Sequence, residues 1–421
     1  MSAPDFSLLA KRRYGPLFVV QFLGAMNDNL LKFALLFLAN FTLYRADPTR
    51  AASLATIATG LFILPYFLFS GLAGQLADAR DKALLMRWVK GAEIAIMAVA
   101  VAGFHFRSVE VLLGCLFAMG MHSCVFGPAK YAILPQHLHG HELMGGTGLV
   151  EAGTFVAILV GQLLGGVVAP LTGGVMALGF AVAGFAASLA IPPAPPAAPG
   201  LRIDFNPLRS TAAILRAAHG PRGIWVAILG ISWFFAVGAV VLSQFAPLVS
   251  GTLHAGPGLV TLFLALFSLC VAAGSLLVNR LLKGEVSART VPLSTAGLGL
   301  CLIDLWWTTS HHAPVAANVG VAAFAADPRN WHLLAGLGGI ALFGGMFVVP
   351  LYAILQTRSP PDKRSQVIAA NNIVNGLVTV MLVVAVGAIL GTGMGIPATF
   401  ALMGVATLPV AWVLDRLNAP G

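Results

Sequence analysis

Charge is what this sequence has least of. Of its 421 residues only 9% are charged, against about 25% in a soluble domain whose outer shell must face water. That shortage excludes a soluble enzyme, and it excludes a nucleic-acid binder even though a net charge of +9 would otherwise invite a polyanion. Cysteine is scarce too. Cys115, Cys124, Cys270 and Cys301 all lie in apolar stretches with no CxxC pair, which speaks against a disulfide framework and a thiolate metal site. A Walker loop, a nucleophile elbow and an HExxH helix are also missing, so nothing points to ATP hydrolysis or covalent catalysis. No enzyme activity and no cofactor is expected. What is plentiful is hydrophobic sequence, 58% of the chain, with 47 glycines and 25 prolines spread through it, a composition suited to helices packed in lipid.

A hydrocarbon core of about 30 Å is crossed by about 20 helical residues, and twelve apolar runs meet that length. They cover roughly 14–43, 53–77, 83–104, 109–135, 142–169, 173–192, 223–249, 257–279, 290–309, 332–356, 365–390 and 394–414. The basic stretch Lys11, Arg12 and Arg13 precedes a first run with no small-residue cleavage site, so that run reads as a membrane helix and not a removable signal. Between the sixth and seventh runs lies PPAPPAAPG, an extended linker by composition. After it, Pro207 to His219 can form a surface helix, with Leu208, Ala212, Ile214 and Leu215 apolar and Arg209 and Arg216 reaching lipid phosphates. The expected organisation is an all-α membrane protein with a six-helix bundle over 1–192, a linker over 193–222 and a second six-helix bundle over 223–421.

Alternate loops differ sharply in charge. One side collects Lys11, Arg12, Arg13, Arg80, Lys82, Arg87, Lys90, Arg202, Arg209, Arg216, Arg222, Arg280, Lys283, Arg289, Arg358, Lys363, Arg364 and Arg416; the other has Arg45, Arg50, Arg107 and Arg329. Basic loops stay in the cytoplasm, which puts both termini there.

The halves also repeat one another. Tyr131, Ala132, Ile133 and Leu134, after the fourth run, return as Tyr352, Ala353, Ile354 and Leu355 near the end of the tenth, and GQLAD from Gly74 has a weaker echo in GSLLVN from Gly274. Repeats of this kind place a substrate path at their interface near the membrane midplane, with transport by rocking of one half against the other.

Twelve spans in six plus six, a basic central loop and GQLADARDKALLM between the second and third spans resemble the major facilitator superfamily and its signature loop. Gly74, Asp78, Arg80 and Lys82 fall on the pattern, and Asp81 stands where the superfamily usually has glycine. The resemblance implies that Asp78 caps a neighbouring helix and pairs with Arg80, stabilising an outward-open state. A narrower likeness rests on QFLGAMNDNLLKF from Gln21, GPAKYAILPQ from Gly127 and GLVEAGTFVAILVG from Gly148. These stretches look like the bacterial lysophospholipid transporter family. Some of its members carry an arginine in the seventh span; Gly223 to Val249 has none, which is more like the subgroup fused to an acyltransferase and acyl-carrier-protein synthetase.

An ionised group at the bilayer centre costs at least about 2.5 kcal/mol on insertion scales, so each one needs a partner or a water-filled cavity. The first span holds Asn27, Asp28, Asn29 and Lys32, the third Lys90 and Glu93, the fourth Lys130, the fifth Glu151 and the ninth Asp304. Asp28 and Lys32, four residues apart, share a helical face. They read as a charged pair lining the cavity, with Asn27 and Asn29 adding amide contacts, or as a self-neutralised pair that lets the helix insert. Lys130 reads as a phosphate ligand, on the strength of the family likeness, or as a snorkelling lysine above a helix break at Pro135. Glu151 could accept from the first span, pair with Lys130, or simply tie helices together; its repeat counterpart is Asn375, which shares a stripe with Asn371. Lys90 and Glu93 read as an intrahelical pair near the inner surface, and Asp304 as an outer-interface residue. His137, His139, His141 and Glu142 invite a metal, but alternate histidines do not share a helical face, and phosphate-facing loop chemistry is the better reading.

The expectation is therefore a monomeric multi-pass protein of the bacterial inner membrane. It would move a lysophospholipid, foremost lysophosphatidylethanolamine, to the cytoplasmic leaflet for reacylation, in functional association with an acyltransferase. Efflux of an amphipathic drug is the alternative, and a non-transporting scaffold is disfavoured because it would not need buried charges.

Overall fold

In hydrocarbon the backbone has no water to bond, so long apolar runs satisfy their own N–H and C=O groups as helices. The computed structural model describes residues 6–219, 223–312, 319–415 and 417, and these are helical without a strand. After a single turn, α1 (Ser7–Ala10), come α2 (Gly15–Leu38), α3 (Pro48–Ala79), α4 (Lys82–His105), α5 (Val109–His137), α6 (Gly140–Val167) and α7 (Pro170–Leu189). Then α8 (Pro207–His219) precedes α9 (Ile224–Pro247), α10 (Gly258–Leu281), α11 (Val291–Ser310), the short α12 (Val321–Ala326), α13 (Trp331–Arg358), α14 (Arg364–Gly391) and α15 (Ile396–Asp415). Arg222 and Arg416, which count in the charge asymmetry, lie outside the described residues.

Among the described residues, eleven helices are long and apolar enough to cross a membrane. The remaining run, the third, is α4, whose 24 residues include Lys82, Arg87, Lys90 and Glu93; it packs against α5 and α7 within the same bundle. Two local expectations change. α5 does not break at Pro135 but runs through Pro128 and Pro135 to His137, because neighbouring helices support a proline-interrupted helix inside a bundle. The proline run after α7 has no regular structure, yet it is not a free tether. Ala194 exchanges backbone and side-chain bonds with the α3–α4 turn, its C=O accepting from Lys82 N–H and its N–H donating to Asp81 Oδ2, each at 3.0 Å, and Ala198 N–H donates to the Asp78 C=O at 2.9 Å.

The two halves repeat in helix frame as well as in sequence. α2 and α9 are both 24 residues long and both continue into a five-residue π-turn, Ala39–Leu43 and Leu248–Thr252. Asp28 and Val237 each stand fourteenth in their helix, so the charges of the first helix have apolar counterparts in the second half. The echo between Gly74 and Gly274 does not carry over. Gly74 faces Gln366 and Ala369 of α14 across the halves, whereas Gly274 is packed against Leu342 and Met346 of α13 within its own half.

Candidate functional site between the halves

The halves meet mainly through α6 on α10 and α3 on α14, at the end of the bundle that carries the amino terminus and the basic loops. Close approach depends on glycine. A Cβ on Gly148 of α6 would lie 2.5 Å from the Ser275 carbonyl oxygen of α10, and one on Gly74 would lie 2.8 Å from Gln366 Cα and Ala369 Cβ of α14. The outer parts of α2 and α9 share no comparable contact. The protein is closed at the basic end.

Asp78 fastens that closed end. Its Oδ1 accepts from Ser365 N–H at 3.0 Å, and its Oδ2 accepts from Gln366 N–H at 3.2 Å and Gln366 Nε2 at 3.3 Å. A carboxylate from the first half thus caps the first turn of α14 in the second, where free N–H groups and the helix dipole favour an anion. The expected pairing with Arg80 does not occur: Arg80 is exposed, and the cations within electrostatic range of Asp78 are the buried Lys82 and the half-buried Arg364. Asp81, the departure from the superfamily pattern, has its own task as N-cap of α4, its Oδ1 accepting from Leu84 N–H at 3.0 Å.

Above this closure, the repeat-related tyrosines stack on one another. Tyr131 of α5 and Tyr352 of α13 have ring centroids 4.4 Å apart and planes 6° from parallel. Tyr131 Oη donates to the buried Glu151, so Glu151 is held by a neutral donor. Lys130 lies with its Nζ 4.5 Å from the Tyr131 ring centroid, half-buried and within electrostatic range of both Glu151 and Asp28. It does not snorkel to the interface. Asn371 of α14 is fully buried beside Tyr352, neither amide atom in a hydrogen bond of good geometry among the described residues. Asn375 is half-buried and accepts from Ser232 Oγ at 2.6 Å.

Asp28 sits mid-helix in α2, half-buried. Its Oδ2 accepts from Ser123 Oγ of α5 at 2.7 Å, and its Oδ1 has no partner among the described residues. The anticipated Asp28–Lys32 ion pair is not formed; Lys32 has no acid within 4.0 Å among the described residues and is also half-buried. Side-chain direction rather than spacing decides this, since Ser123 draws the carboxylate across to α5. Asn29 donates to the Ala25 C=O at 2.9 Å and accepts from Gln162 of α6 at 3.5 Å. Asn27 points elsewhere: fully buried, it donates to Glu93 Oε1 at 2.8 Å and to the Ala177 C=O at 3.0 Å.

That contact belongs to a network that spacing alone understates. Glu93 Oε2 lies 2.5 Å from Lys90 Nζ and 3.1 Å from His122 Nε2, with both acid and lysine wholly inaccessible. Glu93 is twelfth of the 24 residues of α4, so the pair belongs to the middle of the helix and not to its inner end. His122 Nδ1 in turn is 3.4 Å from Ser123 Oγ, the group that holds Asp28. His122 is the residue sequence reasoning missed; a histidine inside an apolar membrane run was the available signal. Among the remaining candidates, Asp304 is bound by His332 at 2.9 Å. Glu142 is committed to Lys11 at 3.1 Å, Arg13 at 2.6 Å and the His139 N–H at 3.0 Å. The HxHxHE stretch is thus a junction between α5, α6 and the amino terminus.

Residues 17–326 match the profile of the Major Facilitator Superfamily. The chain is 30% identical to the lysophospholipid transporter LplT of Salmonella arizonae over 95% of each chain, and 30% identical to that of Escherichia fergusonii over 81% of this chain and 79% of the relative. It is 29% identical to the LplT of Serratia proteamaculans over 84% and 82%. Among solved structures, the human organic anion transporter MFSD10 superposes with a TM-score of 0.71 at 15% identity, covering 95% of this chain and 99% of that one. A bacterial homologue of ferroportin in its outward-facing state gives 0.70 at 13% identity, over 96% and 100%. At such identities these two speak for the fold alone.

Proposed function

Because the chain belongs to the major facilitator superfamily and, within it, to the bacterial lysophospholipid transporter family, we propose that it carries a lysophosphatidylethanolamine-type lipid from the outer to the cytoplasmic leaflet of a bacterial inner membrane. The two halves would alternate in access around Asp28. One observation carries the reading: a mid-membrane carboxylate with one oxygen fixed by Ser123 and the other free. A buried acceptor without a donor is costly to leave unmade, and an ammonium headgroup supplies donors. Lys32 and Lys130, the nearby cations, suit the lipid phosphate, with Asn29 alongside; Glu151, Asn371 and Asn375 line the far side towards the second half. The single acyl chain would trail along apolar helix faces. The basic end that holds the termini would lie in the cytoplasm, next to an acyltransferase that consumes the delivered lipid, and the unit would be a monomer.

The test is uptake of labelled lysophosphatidylethanolamine by reconstituted protein. Asp28→Ala should lower uptake by about tenfold to a hundredfold, the range expected for a hydrogen bond to a charged group, without altering membrane insertion. Undiminished uptake by a well-folded Asp28→Ala protein overturns the assignment. Outward movement of amphipathic cations without lysolipid uptake would favour drug efflux instead.

A further inference from the structure

The linker helix α8 is clamped to the seam on one side and unpartnered on the other. Ser210, Ile214 and Ala218, spaced by four, are its fully buried residues, and they face α3 and α14, one helix from each half. The fit is tight: a Cβ on Gly71 of α3 would meet Ser210 Oγ at 2.6 Å and Thr211 N at 2.7 Å. The helix is further held at its start by Asn206, whose Oδ1 accepts from Leu208 and Arg209 N–H at 3.0 and 3.1 Å, and by Asp204 N–H donating to Gln75 Oε1 of α3 at 2.8 Å. Ile214, expected from sequence to face lipid, is spent on the bundle.

The opposite face carries two stripes with seven-residue spacing. Leu208, 83% exposed, begins one, whose second member Leu215 is half-buried against the core, and Arg209 and Arg216, both exposed, form the other. Phe205, 77% exposed just before the helix, and the exposed Arg202 extend the same mixed surface. Immediately along α3 and α14, Leu64, Leu68, Leu377, Val380 and Val384 are exposed, the apolar flank that hydrocarbon covers. A helix lying at the foot of such a flank, with leucines beside arginines, matches the boundary between acyl chains and phosphates.

We propose that the outer face of α8 docks on anionic phospholipid headgroups, and that this docking stabilises the state closed at the basic end. The reason is the seat. Opening that end requires α3 and α14 to part, so α8 must release one of them and its outer face must leave the position in which it meets the bilayer. Lipid bound to that face in the closed arrangement therefore weights the equilibrium towards it, by no more than the difference in affinity between the two states.

The experiment uses the full chain with spin labels on the basic ends of α3 and α14, reconstituted in phosphatidylcholine with and without phosphatidylglycerol, and reads the label-to-label distance. Phosphatidylglycerol should raise the short-distance population of the parent protein. In Arg209→Gln/Arg216→Gln the rise should shrink, by up to about fivefold in the closed-to-open ratio for each arginine removed. An equal response in the double variant, or no response in the parent, overturns the proposal. Leu208→Ser, which keeps both arginines, should weaken the response without abolishing it, and thermal unfolding of each variant confirms folding. No lysolipid is present, so the result is independent of whether Asp28 binds one.

Discussion

Asp28 and Glu93 are both intramembrane acids, one helix apart, and their surroundings make them opposites. Glu93 is enclosed with Lys90, His122 and Asn27 around it, so removing it strands a buried ammonium. Glu93→Ala should cost about 3–5 kcal/mol, seen as a lowered unfolding temperature in detergent, while Glu93→Gln, which keeps an acceptor for Asn27, should cost less. Asp28 has one hydroxyl donor and a free oxygen, so Asp28→Asn should leave stability nearly unchanged and cut transport. A stability loss at Asp28 as large as that at Glu93 would make Asp28 a structural residue too. Sequence spacing could flag both acids as expensive, but it could not sort them. Their partners lie on other helices, and an ordinary serine such as Ser123 carries no periodic signal.

Helices in this molecule are joined across the seam by features shorter than a turn. Asp78 caps α14 through two backbone N–H groups, a term worth about 0.5–2 kcal/mol. Asp78→Ala should therefore shift the closed-to-open ratio by about twofold to thirtyfold, read as increased thiol labelling of a cysteine placed at Ser365. Asp78→Asn, still a capping residue, should shift it less. Gly148 has no room for a side chain against Ser275, so Gly148→Val should prevent closure and stop transport, whereas Gly114→Ala, with nothing within 4 Å of the added methyl, should be neutral. The signature loop was legible as a pattern because Gly74, Asp78 and Lys82 are spaced as the superfamily spaces them. That Lys82 and Arg364, and not Arg80, flank Asp78 could not be read there, since Arg364 is far along the chain.

Transport by rocking requires the closed end to open, which a covalent tie can test. Gly145 of α6 and Asn279 of α10 face each other, a Cβ on Gly145 lying 3.5 Å from Asn279 Cγ. The pair Gly145→Cys/Asn279→Cys should crosslink on oxidation and lose uptake, and reduction should restore it; full activity when crosslinked would exclude opening at that end. The native Cys115 and Cys124 are buried, and the half-buried Cys270 and Cys301 are replaced by alanine in the background used.

The order of the helices, their number and the lopsided charge of their loops follow from composition along the chain, because hydrocarbon tolerates little besides apolar helix and a bilayer has a set thickness. So does the likeness of the halves. Which acid is left open and which is sealed, which tyrosines stack, and which face of α8 is spent on protein depend on residues tens to hundreds of positions apart meeting in three dimensions. Those choices were made by packing, where a few ångströms and one side-chain rotamer separate a free carboxylate from a neutralised one.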